Sequence, residues 1–129
     1  KEASNIITTE EVFKVETEII KGITSGESCV ILGRSAFYVL KDHPNHLSVL
    51  IQAPMEQRIE RIMSRQKLSR EDAIDAIKKV DERRETYVKT FCKTSRYDTR
   101  NYDLVISMEH LKEEDAVDII MDYVYRQSK

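Results

Sequence analysis

The stretch that decides the fold is "SCVILGRSAFYVL", Ser28–Leu40, where one short apolar run stops at Gly33–Arg34 and another begins at once. Cys29–Leu32 shows no polar alternation, so its pattern predicts a strand covered on both faces, as in a parallel α/β sheet. Ligands of open parallel sheets gather beyond the carboxyl ends of the strands. Gly33 lets the backbone turn tightly at such an end. Arg34 places there the side chain best suited to forked recognition of phosphate or carboxylate. A solvated turn arginine is the plainer account of this pair, and an anionic ligand at the strand tip is the sharper one.

Upstream, Thr8 and Glu11 read as a capping box, and Val12, Phe13, Ile19, Ile20 and Ile23 recur at helical spacing to about Thr24. Gly26 ends that helix. Downstream come a short helix near Ala36–Lys41, a turn at "DHPNH", and a second strand at Leu47–Gln52. A helix then runs from Met55 to about Gln66. Ser69 and Asp72 open a long helix reaching about Phe91, and a polar loop covers Lys93 to Asp103. Leu104–Ser107 is the third strand. A final amphipathic helix, Glu113–Arg126, is expected to bury Ala116, Val117, Ile120, Tyr123 and Val124. The order α-β-α-β-α-α-β-α predicts the α/β class, because parallel strands need helical crossovers.

The chain has 129 residues, 40% of them hydrophobic and 34% charged, which fits one domain over residues 1–129. A net charge of −2 supplies no global field towards nucleic acid or an anionic membrane. Cys29 and Cys92 stand far apart, and Cys29, inside an apolar run, is expected to be a buried free thiol. No secretory leader is recognisable and no apolar run approaches the ~18 residues of a membrane span, so a cytoplasmic setting is expected. His43, His46 and His110 lack metal-like spacing, and no Ser or Cys sits in a nucleophile elbow. No metal site is therefore expected from side-chain spacing.

Two helices carry charges that ask for an explanation. On Met55–Gln66, Met55, Ile59, Ile62 and Met63 share one face while Arg58, Arg61 and Arg65 share its neighbour. Clustered guanidiniums repel one another, so a partner anion would offset their proximity; a solvated basic face is the simpler reading. On the long helix, Asp81 and Arg84 sit one turn apart on the stripe of Ala73, Ile74, Ile77, Val80, Tyr87, Val88 and Phe91. Charges on a core-facing line are paired or line a cavity. Either Asp81 and Arg84 form an ion pair between elements, or both point into a ligand cleft, with Arg83 reaching it only from the rim. Together, Arg34, the three-arginine stripe and the Asp81/Arg84 pair would suit a phosphorylated ligand.

The order "CVILGR", "VLIQAP" with its arginine-rich helix, "IKKVDERR" and "NYDLVIS" resembles the cytidylate-kinase-like family of P-loop phosphotransferases, essentially end to end. The resemblance implies a three-layer parallel-sheet sandwich and transfer of the γ-phosphoryl of ATP, with Mg²⁺, to a nucleotide such as CMP. It implies that Gly33 and Arg34 help hold the acceptor, and that Asp81 and Arg84 match a D-x-x-R pattern at the acceptor site. Arg58, Arg61 and Arg65 fall where a mobile lid begins (about residues 58–91). By the same resemblance, Arg58 belongs with the acceptor contacts while Arg61 and Arg65 stabilise the transferring phosphates. Ser35 stands where an Asp often follows Gly-Arg, which leaves the acceptor nucleotide open.

No G-x-x-x-x-G-K-[ST] segment occurs in the 129 residues. In that family the loop lies in a stretch that would precede Lys1, so this chain alone is expected to be an incomplete sandwich and catalytically incompetent. The family's missing first strand would separate Cys29–Leu32 from Leu47–Gln52. An upstream segment, direct pairing of those two strands, or a strand-swapped homo-oligomer would each fill the gap, and the first is favoured. A non-catalytic nucleotide-sensing or protein-interaction domain on this scaffold is the alternative function. Nucleic-acid binding through residues 58–100 is disfavoured by Glu71, Asp72, Asp75 and Glu85.

Overall fold

Residues 9–26, 28–33 and 35–128 are described in the computed structural model of the chain. Helix α1 covers Thr9–Thr24, and the Thr8 half of the expected cap lies outside the described residues. A single turn of helix, α2 (Ala36–Val39), precedes strand β1 (Val49–Gln52). Helices α3 (Met55–Gln66) and α4 (Arg70–Cys92) follow, and a 3₁₀ turn at Thr99–Asn101 leads to β2 (Leu104–Ser107) and α5 (Glu113–Gln127).

The two strands form a parallel pair, with Val49 opposite Leu104 and Gln52 opposite Ser107. Asp103 sets this register. Its N–H donates to the Ser48 carbonyl at 2.8 Å, and its carboxylate accepts from the Ser48 N–H, also at 2.8 Å. One acidic residue thus closes both backbone groups of its neighbour at the start of the ladder. At the other end the Met108 N–H donates to the Gln52 carbonyl at 2.8 Å, so both chains leave the sheet together.

Helices α3 and α4 make a hairpin. The Ser69 hydroxyl caps α4 by accepting from the Asp72 N–H at 3.1 Å, and Lys67, with φ 54°, closes α3 in the left-handed region. Between the helices Ile59, Ala73 and Ile77 are buried, with Ile62, Met63, Leu68 and Ile74 packed around them. Ala73 is fully covered, which lets the two backbones approach. At the far end of α4, Phe13 of α1 stacks on Phe91 at 4.9 Å between ring centres, and Ile20, Val88 and Cys92 are buried.

Three expectations need correcting. Cys29–Leu32 is not a strand: none of the described residues pairs with it, and Val30 and Leu32 are 89% and 85% exposed. An apolar run holds a strand only where a neighbour takes its N–H and C=O groups and both faces are covered, and neither condition is met here. Cys29 is accordingly an exposed thiol rather than a buried one. On α5 only Ala116 is buried, while Val117 and Val124 face solvent. On α1, Val12, Ile19 and Ile23 are likewise exposed. In both helices periodicity marked an apolar arc wider than the surface available to cover it. The described residues form a mixed α/β arrangement on a two-stranded parallel sheet, in keeping with the α/β class that the alternation of helices and strands predicts.

Candidate functional site

A cleft of about 580 Å³ opens where β1 and β2 end, between the start of α3, the middle of α4 and the loops on either side of β2. Its lining includes the apolar side chains Leu50, Ile51, Ala53, Met108 and Leu111. It also includes Arg58, Arg61, Arg84, Arg96 and Lys112. Against these five cations stand two carboxylates, Asp81 and Glu113. Cations outnumbering acids around one concavity give it a positive potential although the chain as a whole is slightly acidic.

The carboxylates are already engaged. Asp81 accepts from Arg58 Nη2 at 2.7 Å, with side-chain exposures of 19% and 35%. That hydrogen bond holds the Arg58 guanidinium further from deprotonation than usual, against the opposing effect of its partial burial. The partner of Asp81 is thus Arg58 across the hairpin, and not Arg84 one turn away. Glu113 lies 3.7 Å from Arg61 in an exposed pair, which contributes little in water. Arg84, Arg96 and Lys112 form no ion pair among the described residues, although Glu85 attracts Arg96 from beyond contact distance.

The sequence-predicted residues divide accordingly. Arg58, Arg61, Asp81 and Arg84 meet around one cleft. Arg65, in the last turn of α3, does not line it, and neither does Gly33. Gly33 has φ +71° with open space where a Cβ would stand, so backbone conformation alone asks for glycine there. Arg34 lies outside the described residues. Arg83 lines a different concavity along one face of α4, beside Tyr87 and Phe91.

Sequence reasoning missed Arg96, Tyr97 and Lys112. Arg96 and Tyr97 come from the loop "KTSRYDTRNYD", which builds its own shape from side-chain hydrogen bonds. Glu85 of α4 accepts from the Ser95 hydroxyl at 2.5 Å and from the Arg96 N–H at 2.9 Å. Burial pushes the Glu85 carboxyl up, but these two donors, with Lys89 and Arg96, hold it below its usual value on balance. Asn101 donates to the Ser95 carbonyl at 2.9 Å, and the Tyr102 hydroxyl to the Arg96 carbonyl at 2.6 Å. Arg100 grips Asp98 through side chain and backbone and lowers its carboxyl to about 2. The available signal was the density of Ser, Thr, Asn and Asp in the loop, residues that order a backbone locally. Gln57 adds one further tie, donating to the Glu109 carbonyl at 3.0 Å between α3 and the loop after β2.

The cytidylate kinase-like family matches residues 2–110. A cytidylate kinase of Sulfolobus acidocaldarius is 32% identical over 119 residues, covering 89% of this chain and 63% of that enzyme. A protein named uronate isomerase from Corynebacterium glutamicum is 28% identical over 97% of this chain, which spans 24% of its length. A crystal structure of an uncharacterized protein from Eubacterium ventriosum superposes on 92% of this chain and 65% of its own, with a TM-score of 0.80 and 29% identity. The chain thus spans less than two thirds of each of these relatives.

Proposed function

The chain belongs to the cytidylate kinase-like family, and from that premise we propose that its cleft binds a nucleoside monophosphate for phosphoryl transfer. The observation that carries this reading is the gathering of Arg58, Arg61, Arg84, Arg96 and Lys112 at the carboxyl ends of a parallel strand pair. The apolar lining residues suit a base and the cations suit phosphate oxygens, which is the usual division of labour in a small-molecule site. Little covalent chemistry falls to a protein in phosphoryl transfer, so its contribution is position and charge. Arg58, steadied by Asp81, acts as a fixed donor. Arg61 and Arg84, exposed at the edge of the cleft, close on the phosphate and neutralise charge as it shifts between oxygens. The parts given to Gly33, Arg34 and Arg65 rest on the family resemblance alone.

The same resemblance implies ATP as donor, accompanied by Mg²⁺. Among the described residues no group of three His, Cys, Asp or Glu side chains could hold an ion by itself, so an Mg²⁺ arriving with ATP would be held chiefly by phosphate oxygens and water. The 129 residues also contain no phosphate loop of the G-x-x-x-x-G-K-[ST] type. On this proposal the 129 residues alone bind a nucleotide without turning it over. No helix among the described residues is long and apolar enough to cross a membrane, and a cytoplasmic setting belongs to the same proposal.

Calorimetric titration of the chain with CMP, UMP, AMP and dCMP tests this. At least one monophosphate is expected to bind saturably, and Arg84→Ala to weaken it about tenfold or more, in line with the loss of a charge-assisted hydrogen bond. Absence of binding by all four, or binding indifferent to Arg84→Ala, overturns the reading. Binding without turnover when ATP and Mg²⁺ are added is the expected companion result, and phosphate transfer by these 129 residues would refute the claim of incompetence.

A further inference from the structure

Arg96 combines a fixed backbone with a head group that rests on the neighbouring Tyr97 rather than in an ion pair. Its N–H donates to Glu85 Oε1 at 2.9 Å and its carbonyl accepts from the Tyr102 hydroxyl at 2.6 Å. The preceding residue is held equally firmly, with the Ser95 hydroxyl donating to Glu85 and the Ser95 carbonyl accepting from Asn101. The following Tyr97 N–H donates to the Ser95 hydroxyl at 3.1 Å. Three consecutive residues are thus pinned through side chains, from α4 on one side and the approach to β2 on the other. Such a loop is pre-ordered, so little entropy remains to be lost when its side chains meet a ligand.

The guanidinium itself is treated differently. It rests 5.1 Å above the Tyr97 ring centre and donates from Nη1 to the Tyr97 hydroxyl at 3.1 Å. No carboxylate among the described residues lies within ion-pair distance of it, and it lines the cleft beside Arg58 and Arg84. A guanidinium resting on an exposed phenol ring gains less than one that makes charge-assisted hydrogen bonds to phosphate oxygens. An entering phosphate therefore outcompetes Tyr97 for this head group.

We propose that Arg96 is a phosphate-binding residue of the cleft, released from Tyr97 when ligand enters, and that Glu85 is its positioning residue. The inference rests on the reading of the cleft as a monophosphate site and gives one of its cations, from outside the α3–α4 hairpin, a direct part in binding and a residue that positions it. The ligand class that suits it is a phosphate ester or inorganic polyphosphate, bound by a fork of two guanidinium N–H groups. Glu85 touches no ligand in this account. It acts by fixing where the Arg96 backbone stands.

The test is titration of the chain with CMP and with inorganic pyrophosphate, in wild type and in Arg96→Ala, Arg96→Lys, Glu85→Gln, Arg84→Ala and the double variant Glu85→Gln/Arg96→Ala. Arg96→Ala is expected to weaken both ligands about tenfold, and Arg96→Lys, which keeps the charge and loses the fork, to recover part of that. Glu85→Gln is expected to weaken both several-fold in the wild-type background and not at all in the Arg96→Ala background. That coupling separates positioning from a general loss of structure, since a merely destabilising change would act in both backgrounds. A thermal melt of each variant identifies any that fail to fold, and Arg96→Lys, which leaves the loop hydrogen bonds intact, then carries the test. If Arg84→Ala weakens binding while Arg96→Ala leaves it unchanged, this proposal falls and the monophosphate reading stands. If wild type binds neither ligand, both fall.

Discussion

Arg58 and Asp81 are 23 positions apart in sequence and 2.7 Å apart in space, and the pair decides how a charged line on α4 is to be understood. Charge on a core-facing stripe was legible as an anomaly; its partner was not, because spacing within one helix cannot report what the next helix brings alongside. The local candidate, Arg84, sits one turn from Asp81 yet stays exposed. A half-exposed pair of this kind stabilises by about 0.5–1 kcal/mol, since water screens it and two side chains lose freedom. Asp81→Asn and Arg58→Ala are therefore each expected to lower the unfolding free energy by about that amount. The double variant should lose less than the sum, because either single change already removes the contact. Urea unfolding of the four proteins measures this. Additive losses would show that the two groups do not interact in solution. For the site as a whole, the residues readable in advance were those on helices, where period fixes direction. Arg96 and Tyr97 were hidden because their placement depends on Glu85, ten and eleven positions from its hydrogen-bonding partners Ser95 and Arg96.

At the scale of elements, legibility follows how locally each element is determined. The bounds of α3, Met55–Gln66, are those its apolar period predicts, and Ser69 caps α4 as its position before Asp72 implies. Both depend on interactions within four residues. The breadth of the arcs on α1 and α5 was equally readable, yet what covers them is a tertiary matter, and Val117 and Val124 stay exposed. The α3–α4 hairpin is the element in which local and tertiary signals agree, and its variants should report the difference in magnitude between the two. Ser69→Ala removes one capping bond and is expected to destabilise by about 1 kcal/mol. Ile77→Ala opens a cavity between Ile59 and Ala73 and is expected to destabilise by about 2–5 kcal/mol. Chemical denaturation of both variants checks the order, and a cap that outweighed Ile77 would mean that the hairpin core is looser than its burial implies.

At the scale of the whole molecule, the question is where the sheet ends. Read alone, Cys29–Leu32 is as convincing a buried strand as Leu104–Ser107, since both are short, apolar and rich in β-formers. The difference between them is pairing. Leu104–Ser107 has β1 beside it in register, and Ile106 is buried. Cys29–Leu32 has no strand beside it among the described residues, so its side chains gain nothing from being apolar. Composition cannot distinguish the two cases, because a strand is stabilised by its neighbours rather than by itself. The consequence is measurable. Val30→Thr and Leu32→Ser remove apolar groups that are already in water, and each should change the unfolding free energy of this chain by no more than about 0.5 kcal/mol. Ile106→Ala removes buried groups from the paired strand and should cost about 2–5 kcal/mol. Denaturant unfolding of the three variants therefore separates a two-stranded sheet from a larger one. A loss of several kcal/mol on Val30→Thr would mean that a third strand covers the run in solution, as the apolar pattern of Cys29–Leu32 predicts.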